Sequence, residues 1–214
     1  MKFRRKSEPE AAAEAAEDEP ATSAAVEGPH DADDLPDDGI ERVDLGSLLI
    51  PAAEGRELRL QVDEASGQVR SVMLAGPDGG VEIRAFAAPR NGDLWDDVRP
   101  QIAADMAQRG GTATEREGRF GPELICEIQI KRPEGTVVQN SRIIGINGGR
   151  WMLRATFLGR PARDVDSSSD WEDLLTQVGV RRGTGPMMSG EILPITLPEN
   201  ARPVTPPGGT RPPA

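Results

Sequence analysis

Two long runs of β-forming residues on either side of a glycine pair constrain the fold more than any other feature. They are TVVQNSRIIGI at 136–146 and RWMLRATFLG at 150–159, with Asn147 and Gly148 between them. Asn-Gly between such runs favours a tight hairpin, because both central residues of a type I′ turn take a positive φ. A phosphate-binding glycine loop would instead lead from a strand into a helix. The sequence therefore predicts a hairpin whose glycines are structural.

Alternation of apolar and polar residues predicts further strands before this hairpin. The predicted strands are ELRLQVD (57–63), QVRSVMLAG (68–76), VEIRAFAA (81–88), TATERE (112–117) and ELICEIQIKR (123–132). Short turns rich in Gly, Pro, Asp and Ser separate the first three, which is typical of an antiparallel meander.

Two segments have the apolar spacing of helices. In RNGDLWDDVRPQIAADMAQRGG, apolar residues recur every four positions and Asp93 is placed to cap the first turn. Pro100 leaves two alternatives: a kinked helix, or a main helix that begins with Pro100 in its first turn. In SSSDWEDLLTQVGV, Ser169 and Glu172 predict a capping box.

The order of these elements predicts the fold class. Connections between most strands are short, so we expect an α+β fold with a mostly antiparallel sheet of about six to seven strands and two main helices packed on it. Residues 1–39 hold twelve acidic and four basic residues and little apolar surface, which predicts a disordered acidic tail. Residues 40–199 form the single predicted domain, and residues 200–214, rich in Pro and Gly, a second disordered tail.

The reactive side chains are few. His30 is the only histidine and falls in the predicted tail, so the predicted domain contains no imidazole base or metal ligand. Cys126 is the only cysteine and alternates with apolar residues, which predicts a buried inert thiol. Lys131 ends a predicted strand, where we expect it to be solvated. We therefore predict no catalytic residue, no metal site and no cofactor.

Charged residues in the predicted domain leave two interpretations open. Arg142, Arg150 and Arg154 lie on the predicted hairpin, where they form either a contact for an anion or an acidic partner or a solvated strand face paired with nearby acids. Two acidic clusters, at 93–97 and 170–173, fall in first turns of predicted helices, where the helix dipole favours them.

Two segments, FAAPRNGDLWDDVRPQI and VVQNSRIIGINGGRWMLRATFLGRPARD, carry a resemblance to known families. Over about residues 40–199 the chain resembles an uncharacterised actinobacterial domain-of-unknown-function family, which has no assigned activity to carry over. The order of strands and helices is also distantly similar to the Mog1/PsbP-like fold. That second resemblance implies a binding or assembly role, and fold analogy alone does not give function.

These features predict a non-catalytic cytoplasmic interaction module whose partner is another protein. MKFRRKSEPE lacks the apolar core of a signal peptide, and we expect no membrane span and no specific nucleic-acid partner. A homodimer through an exposed sheet edge is a further expectation. Two alternatives remain: an enzyme that uses carboxylates and arginines, and weak contact of the basic N-terminus with anionic lipid or nucleic acid.

Overall fold

A computed structural model describes residues 28–63, 66–90, 92–133, 135–164 and 168–197. The strands are β1 His30–Asp31, β2 Arg42–Asp44, β3 Leu48–Pro51, β4 Glu57–Val62, β5 Val69–Gly76, β6 Gly79–Ala87, β7 Thr112–Gly118, β8 Gly121–Arg132, β9 Gly135–Asn147, β10 Trp151–Gly159 and β11 Gly179–Val180. The helices are α1 Leu94–Gln108, α2 Arg160–Arg163 and α3 Ser169–Thr176, with a 3-10 helix at Ala32–Asp34.

Seven strands form the main sheet, in the order β4-β5-β6-β10-β9-β8-β7. Every neighbouring pair in it is antiparallel, which confirms the predicted α+β class. A smaller sheet of order β1-β11-β3-β2 was not predicted, because its strands are two to four residues long and too short to show a periodicity.

The main sheet has two faces with different coverings. Its core face, with Val81, Leu153 and Phe157, packs against α3 and the small sheet. On the second face, α1 covers the part of the sheet around β8 and β9, where Trp95 and Met106 pack with Leu124 and Cys126. The helix leaves other side chains of this face half-buried. In β6 they are Glu82, Arg84 and Phe86, and in β10, after Met152, they are Arg154, Thr156 and Leu158.

The predicted hairpin is confirmed, but its turn differs from the prediction. Met152 pairs with Asn147, and the Gly148 amide donates to the Trp151 carbonyl at 2.8 Å, so the turn spans Gly148–Arg150. Gly148 is not among the glycines with positive φ. It is needed for close approach instead, because a Cβ there would lie 2.1 Å from Cε2 of the Trp151 ring.

Helix α1 runs unbroken from Leu94 to Gln108 with Pro100 inside it, so the alternative in which the main helix begins at Pro100 is wrong. The predicted cap is confirmed: Asp93 Oδ1 accepts a hydrogen bond from the Asp96 amide at 3.1 Å. The side chain of Asn147 joins the hairpin to this helix end, since its Oδ1 accepts from the Trp95 amide at 3.2 Å.

The segment 28–39 corrects the predicted boundary between tail and domain. The His30 amide donates to the Val178 carbonyl at 3.0 Å, and β1 pairs in parallel with β11. The Trp151 indole donates to Asp31 Oδ1 at 2.9 Å. Backbone pairing and this indole contact hold the segment without much apolar burial, so composition does not reveal it. His30 therefore lies in the fold. The rest of the predicted tails, 1–27 and 200–214, lies outside the described residues, as do residues 198–199 at the end of the predicted domain.

The packing of α1 on the sheet gives a first prediction. A Cβ added to Gly145 would lie 2.1 Å from Cδ2 of Trp95, which is itself buried. Gly145→Ala is therefore expected to lower the free energy of unfolding by about 1–3 kcal/mol through overpacking, measured by urea denaturation. Gly185→Ala is the control, because no atom lies within 4 Å of its added Cβ. Equal stability of the two variants would contradict this packing.

A second prediction concerns the carboxyl of Asp38. Hydrogen bonds from the Arg42 side chain and the Ile40 amide lower its pKa to about 2. A carboxyl with a lowered folded-state pKa stabilises the fold above its unfolded value, and that contribution is lost as the pH falls from about 3.8 through about 2. An NMR titration should give this low midpoint, and Arg42→Gln should return it towards 3.8. A midpoint that Arg42→Gln leaves unchanged would contradict the contact.

Candidate functional site

Arg142 lies on the core face and is enclosed by polar partners. Its Nε donates to both carboxylate oxygens of Glu123 at 2.9 Å, and its Nη2 lies 2.7 Å from Glu123 Oε2 and 2.6 Å from Glu172 Oε1. Its Nη1 donates to Ser168 Oγ at 2.7 Å. Arg142 and Glu123 have no exposed surface, and Glu172 is 8% exposed. We call Glu123, Arg142, Ser168 and Glu172 the buried ion cluster.

The cluster also corrects the predicted capping box of α3. The N-cap residue is Ser168 rather than Ser169, and among the described residues its side chain makes no capping hydrogen bond to the helix backbone. Ser168 Oγ instead donates to Glu172 Oε1 at 3.2 Å. Glu172 therefore points inward to Arg142, because a buried guanidinium provides a stronger partner than the helix end. The helix dipole alone does not explain its position.

The opposite charges within the buried ion cluster stabilise one another. Burial by itself lowers the pKa of the Arg142 guanidinium, but the hydrogen bonds and charges of Glu123 and then Glu172 outweigh it and raise the pKa overall. Arg116 adds a second cation, with its Nε 2.7 Å from Glu123 Oε1. Two arginines thus face two carboxylates, and the buried guanidinium has no surface left for an outside anion.

Arg154 has the opposite environment, although it lies on the neighbouring strand. It points to the second face, where it stands directly opposite Arg84 of β6 in the β10–β6 register. Its guanidinium lies 5.3 Å from the centre of the Phe86 ring. Among the described residues, no side chain or carbonyl accepts a hydrogen bond from it. We call Arg84 and Arg154, with Glu82 beside them, the arginine pair.

Charge is not balanced at the arginine pair. Glu82 is its one carboxylate in the part of the chain that the structure describes, and both Nε and Nη2 of Arg84 contact Oε1 of Glu82. Burial lowers the pKa of the Arg154 guanidinium, the positive charge of Arg84 lowers it further, and Glu82 opposes both. Like charges directly opposite in an antiparallel pair are destabilising. This half-buried site therefore favours an added anion.

The three arginines that the sequence selects are not brought together. Arg142 is buried on the core face, Arg154 is half-buried on the second face, and Arg150 is exposed in the hairpin turn. Sequence reasoning missed Arg84 and Glu82. Alternation in VEIRAFAA places both on the non-core face of their strand, but the register that sets Arg84 opposite Arg154 has no signature in the sequence.

A shallow cleft lies near the turn between β5 and β6. There the Arg56 guanidinium stacks on the Trp171 ring, with Cζ of Arg56 3.3 Å from the ring centre. Burial lowers the pKa of Arg56, and the charges of Asp170 and Asp78 raise it. Arg160 and Glu54 complete the charged lining. Three acids face two arginines here, so the cleft lacks the excess of positive charge found at the arginine pair.

The remaining candidates have no reactive setting among the described residues. Cys126 is fully buried; burial raises the pKa of its thiol, and a hydrogen bond with Ser141 opposes this. Lys131 is exposed at the end of β8, as predicted. In the described ranges, no group of three or more His, Cys, Asp or Glu could hold a metal ion. None of the helices in those ranges has the length and apolar character needed to span a membrane.

The comparison with protein families identifies the chain. The profile of "Protein of unknown function (DUF3710)" matches residues 28–203, which is most of the sequence. The chain belongs to the DUF3710 family. The match begins at Gly28, where the described fold also begins, so the family domain includes the β1 segment. None of the curated proteins compared with this DUF3710 chain matches it.

Solved structures show only distant similarity to this DUF3710 chain. A crystal structure from Bacteroides thetaiotaomicron is similar at a TM-score of 0.41 and 11% identity over 65% of the chain, which spans 47% of that protein. The solution structure of cyanobacterial PsbP (CyanoP) from Synechocystis is similar at a TM-score of 0.35 and 13% identity, covering 66% of this chain and 92% of that one. Similarities at this level assign no function.

The buried ion cluster gives a third prediction. Arg142→Met leaves two buried carboxylates without their main partner, so the free energy of unfolding should fall by about 3–5 kcal/mol in urea denaturation. Arg150→Met is the matched control because Arg150 is exposed in a turn, and it should change stability by less than about 0.5 kcal/mol. A stable Arg142→Met variant would show that the cluster is not structural.

Proposed function

We propose that this protein is a non-catalytic interaction module that binds an acidic segment of a partner protein at the arginine pair. The observation that carries the proposal is the direct pairing of Arg154 with Arg84 on a half-buried sheet face, with Glu82 as the one neighbouring carboxylate among the described residues. Arginine guanidinium groups bind carboxylates in a planar, bidentate manner, and partial burial strengthens that contact. A carboxylate of the partner would offset the charge that Glu82 leaves uncompensated.

The non-catalytic part of the proposal rests on where the carboxylates are. An enzyme using carboxylates and arginines would need them at an accessible site. Glu123 and Glu172 are instead buried and bonded to Arg142. Asp93, the N-cap residue of α1, accepts hydrogen bonds from the Asp96 amide and the Asn147 side chain. These contacts support structural roles for Glu123, Glu172 and Asp93, whereas the carboxylates of the shallow cleft, Glu54, Asp78 and Asp170, are accessible.

The proposal also includes the cellular location of the protein and the group of organisms it comes from. A cytoplasmic site is supported by the single, buried free thiol of Cys126, which is compatible with a reducing compartment. An actinobacterial source is supported by the dominance of arginine over lysine in the sequence. Contact of the basic N-terminus with anionic lipid or nucleic acid stays a separate prediction, because residues 1–27 lie outside the described residues.

Binding of an acidic probe tests the proposal and is the fourth prediction. The full chain is titrated against a fluorescein-labelled octaglutamate peptide at about 0.15 M salt, where exposed charges are screened beyond about 8 Å, with fluorescence anisotropy as the readout. Arg154→Gln should weaken binding about 10- to 100-fold, since hydrogen bonds to charged groups contribute roughly 1.5–3 kcal/mol. Glu82→Gln should strengthen binding, because it removes the competing carboxylate.

The control is Arg150→Gln, which removes the same charge from the exposed turn of the same hairpin. It should change the affinity less than about twofold, the effect of a screened exposed charge. Equal weakening by Arg150→Gln and Arg154→Gln would mean that the peptide responds only to overall charge. That result, or no binding by the wild-type chain, would overturn the proposed site.

A further inference from the structure

On the second face of the main sheet, the side chains beside α1 have no helix over them among the described residues. Helix α1 packs on β7, β8 and β9. Helices α2 and α3 instead contribute Ala162 and Trp171 to the core of the other face. The part of the second face beside α1 consists of the arginine pair together with Met73, Phe86, Leu158 and Ile192. We call it the open face.

An apolar row of the open face lies directly beside the arginine pair. Ile192 stands opposite Phe86 in an antiparallel bridge, and side chains that are opposite in such a pair lie on the same face. The Phe86 ring centre is 5.3 Å from the Arg154 guanidinium. Phe86 is half-buried, and Ile192 is 40% exposed. A group that binds the arginines therefore has accessible apolar surface about 7 Å away, the distance between alternate residues of a strand.

A second apolar group lies on the other side of the arginine pair. Leu158 is four residues beyond Arg154 on β10 and stands opposite Gly80, which has no side chain. Met73 occupies the space beside it, because its Sδ lies 3.2 Å from the position that a Cβ of Gly80 would take. Met73 and Leu158 are both half-buried. The arginine pair thus lies between two apolar groups, about 7 Å from one and about 14 Å from the other.

A segment that binds the open face meets side chains rather than free strand edges. β10 lies between β6 and β9, and β6 is paired with β5 on its other side. Where β5 ends, the segment 191–193 continues the pairing, since the Ala87 amide donates to the Glu191 carbonyl at 2.8 Å. An extended segment lying on this face would bury backbone groups without partners. A helix pairs its own backbone groups, so a helix is the favoured ligand conformation.

We propose that the open face binds an amphipathic α-helix of another protein, and that the bound side of this helix carries a carboxylate flanked by large apolar residues. The carboxylate contacts the arginine pair. One apolar residue, about one turn away, contacts Phe86 and Ile192, and another, about two turns away on the other side, contacts Met73 and Leu158. This inference rests on the proposed function, because it gives the acidic partner segment its conformation and its neighbouring residues.

The sequence favours another protein over the terminal segments of this chain as the source of the helix. Residues 8–25 contain six acids but no Val, Ile, Leu, Met or aromatic residue. Val26 and Glu27 are adjacent, and adjacent residues do not share one side of a helix. Residues 200–214 contain no Asp or Glu. None of these segments combines a carboxylate with large apolar residues at helical spacing, whereas the excess positive charge of the arginine pair requires the carboxylate.

Two labelled peptides of about 16 residues, long enough to form a helix, test the proposal on the full chain at about 0.15 M salt. Both contain the same glutamates, leucines and alanines and should show equal helix content by circular dichroism. In the first, the leucines lie on the side of the helix that carries the glutamates, and in the second they lie on the opposite side. Fluorescence anisotropy should show the first binding about tenfold more tightly, because burial of one leucine side chain suffices for a change of that size.

Two matched variants locate the apolar contact. Ile192→Ser removes the exposed side chain beside Phe86 and should reduce the preference for the first peptide to less than about threefold. Its binding of octaglutamate should not change, because the arginine pair is intact. Val62→Ser removes a side chain of similar exposure, 48%, from the outer strand β4, and should keep the full preference. All three proteins should have the same circular dichroism spectrum.

Octaglutamate separates this inference from the proposed function. If octaglutamate binds at the arginine pair but the two helical peptides bind equally, the inference is wrong and the proposed function stands. A preference that persists in Ile192→Ser, or a first peptide whose affinity Arg154→Gln leaves unchanged, would place the helix elsewhere and overturn the inference. Failure of octaglutamate and of both helical peptides to bind would overturn the inference and the proposed function together.

Discussion

The bond between Arg142 and its two carboxylates is the interaction on which the rest of this structure depends. Arg142 belongs to β9, Glu123 to β8 and Glu172 to α3, so one guanidinium joins the hairpin at the centre of the sheet to the helix that covers it. Removing such charges from water costs several kcal/mol for each ion, which only well-formed hydrogen bonds can offset. Here Nε, Nη1 and Nη2 all have partners, and Glu123 receives a further bond from Arg116. The cluster therefore fixes both the register of β8 and β9 and the docking of α3.

The two faces of one sheet thereby acquire different roles. On the core face the arginine is matched by carboxylates and is hidden from solvent. On the second face Arg84 and Arg154 stand opposite each other, with Glu82 as their one carboxylate within the described ranges, and α1 stops short of covering them. A matched buried charge contributes to fold specificity, whereas an unmatched half-buried charge leaves free energy that an outside anion can gain. The position of an arginine along the alternating strand decides which of these roles it has.

How much of this the sequence predicts depends on whether a signal is local. Strand alternation and the Asn-Gly turn predict the hairpin and the antiparallel sheet, and Asp93 predicts the start of α1, because these are short-range preferences. The predicted capping box at Ser169 was wrong because the Glu172 carboxylate binds Arg142, a buried partner distant in sequence. The β1 segment was missed because a pairing with β11 and an indole bond to Asp31 hold it. The arginine pair was missed because the register of β10 on β6 is a tertiary property. Of its two arginines the sequence analysis named only Arg154, together with Arg142 and Arg150, which lie elsewhere in the fold.

The most direct test of the difference between buried Arg142 and the arginine pair is the NMR spectrum of the arginine Nε–Hε groups in the full chain, recorded while an acidic peptide is added. The account predicts that the Arg84 and Arg154 signals shift progressively with peptide, because their guanidinium groups meet the added carboxylates. The Arg142 signal should keep its position and exchange slowly with solvent, since its Nε–H is buried and bonded to Glu123. A shift of Arg142, or unchanged signals from Arg84 and Arg154 while peptide binds, would contradict the account.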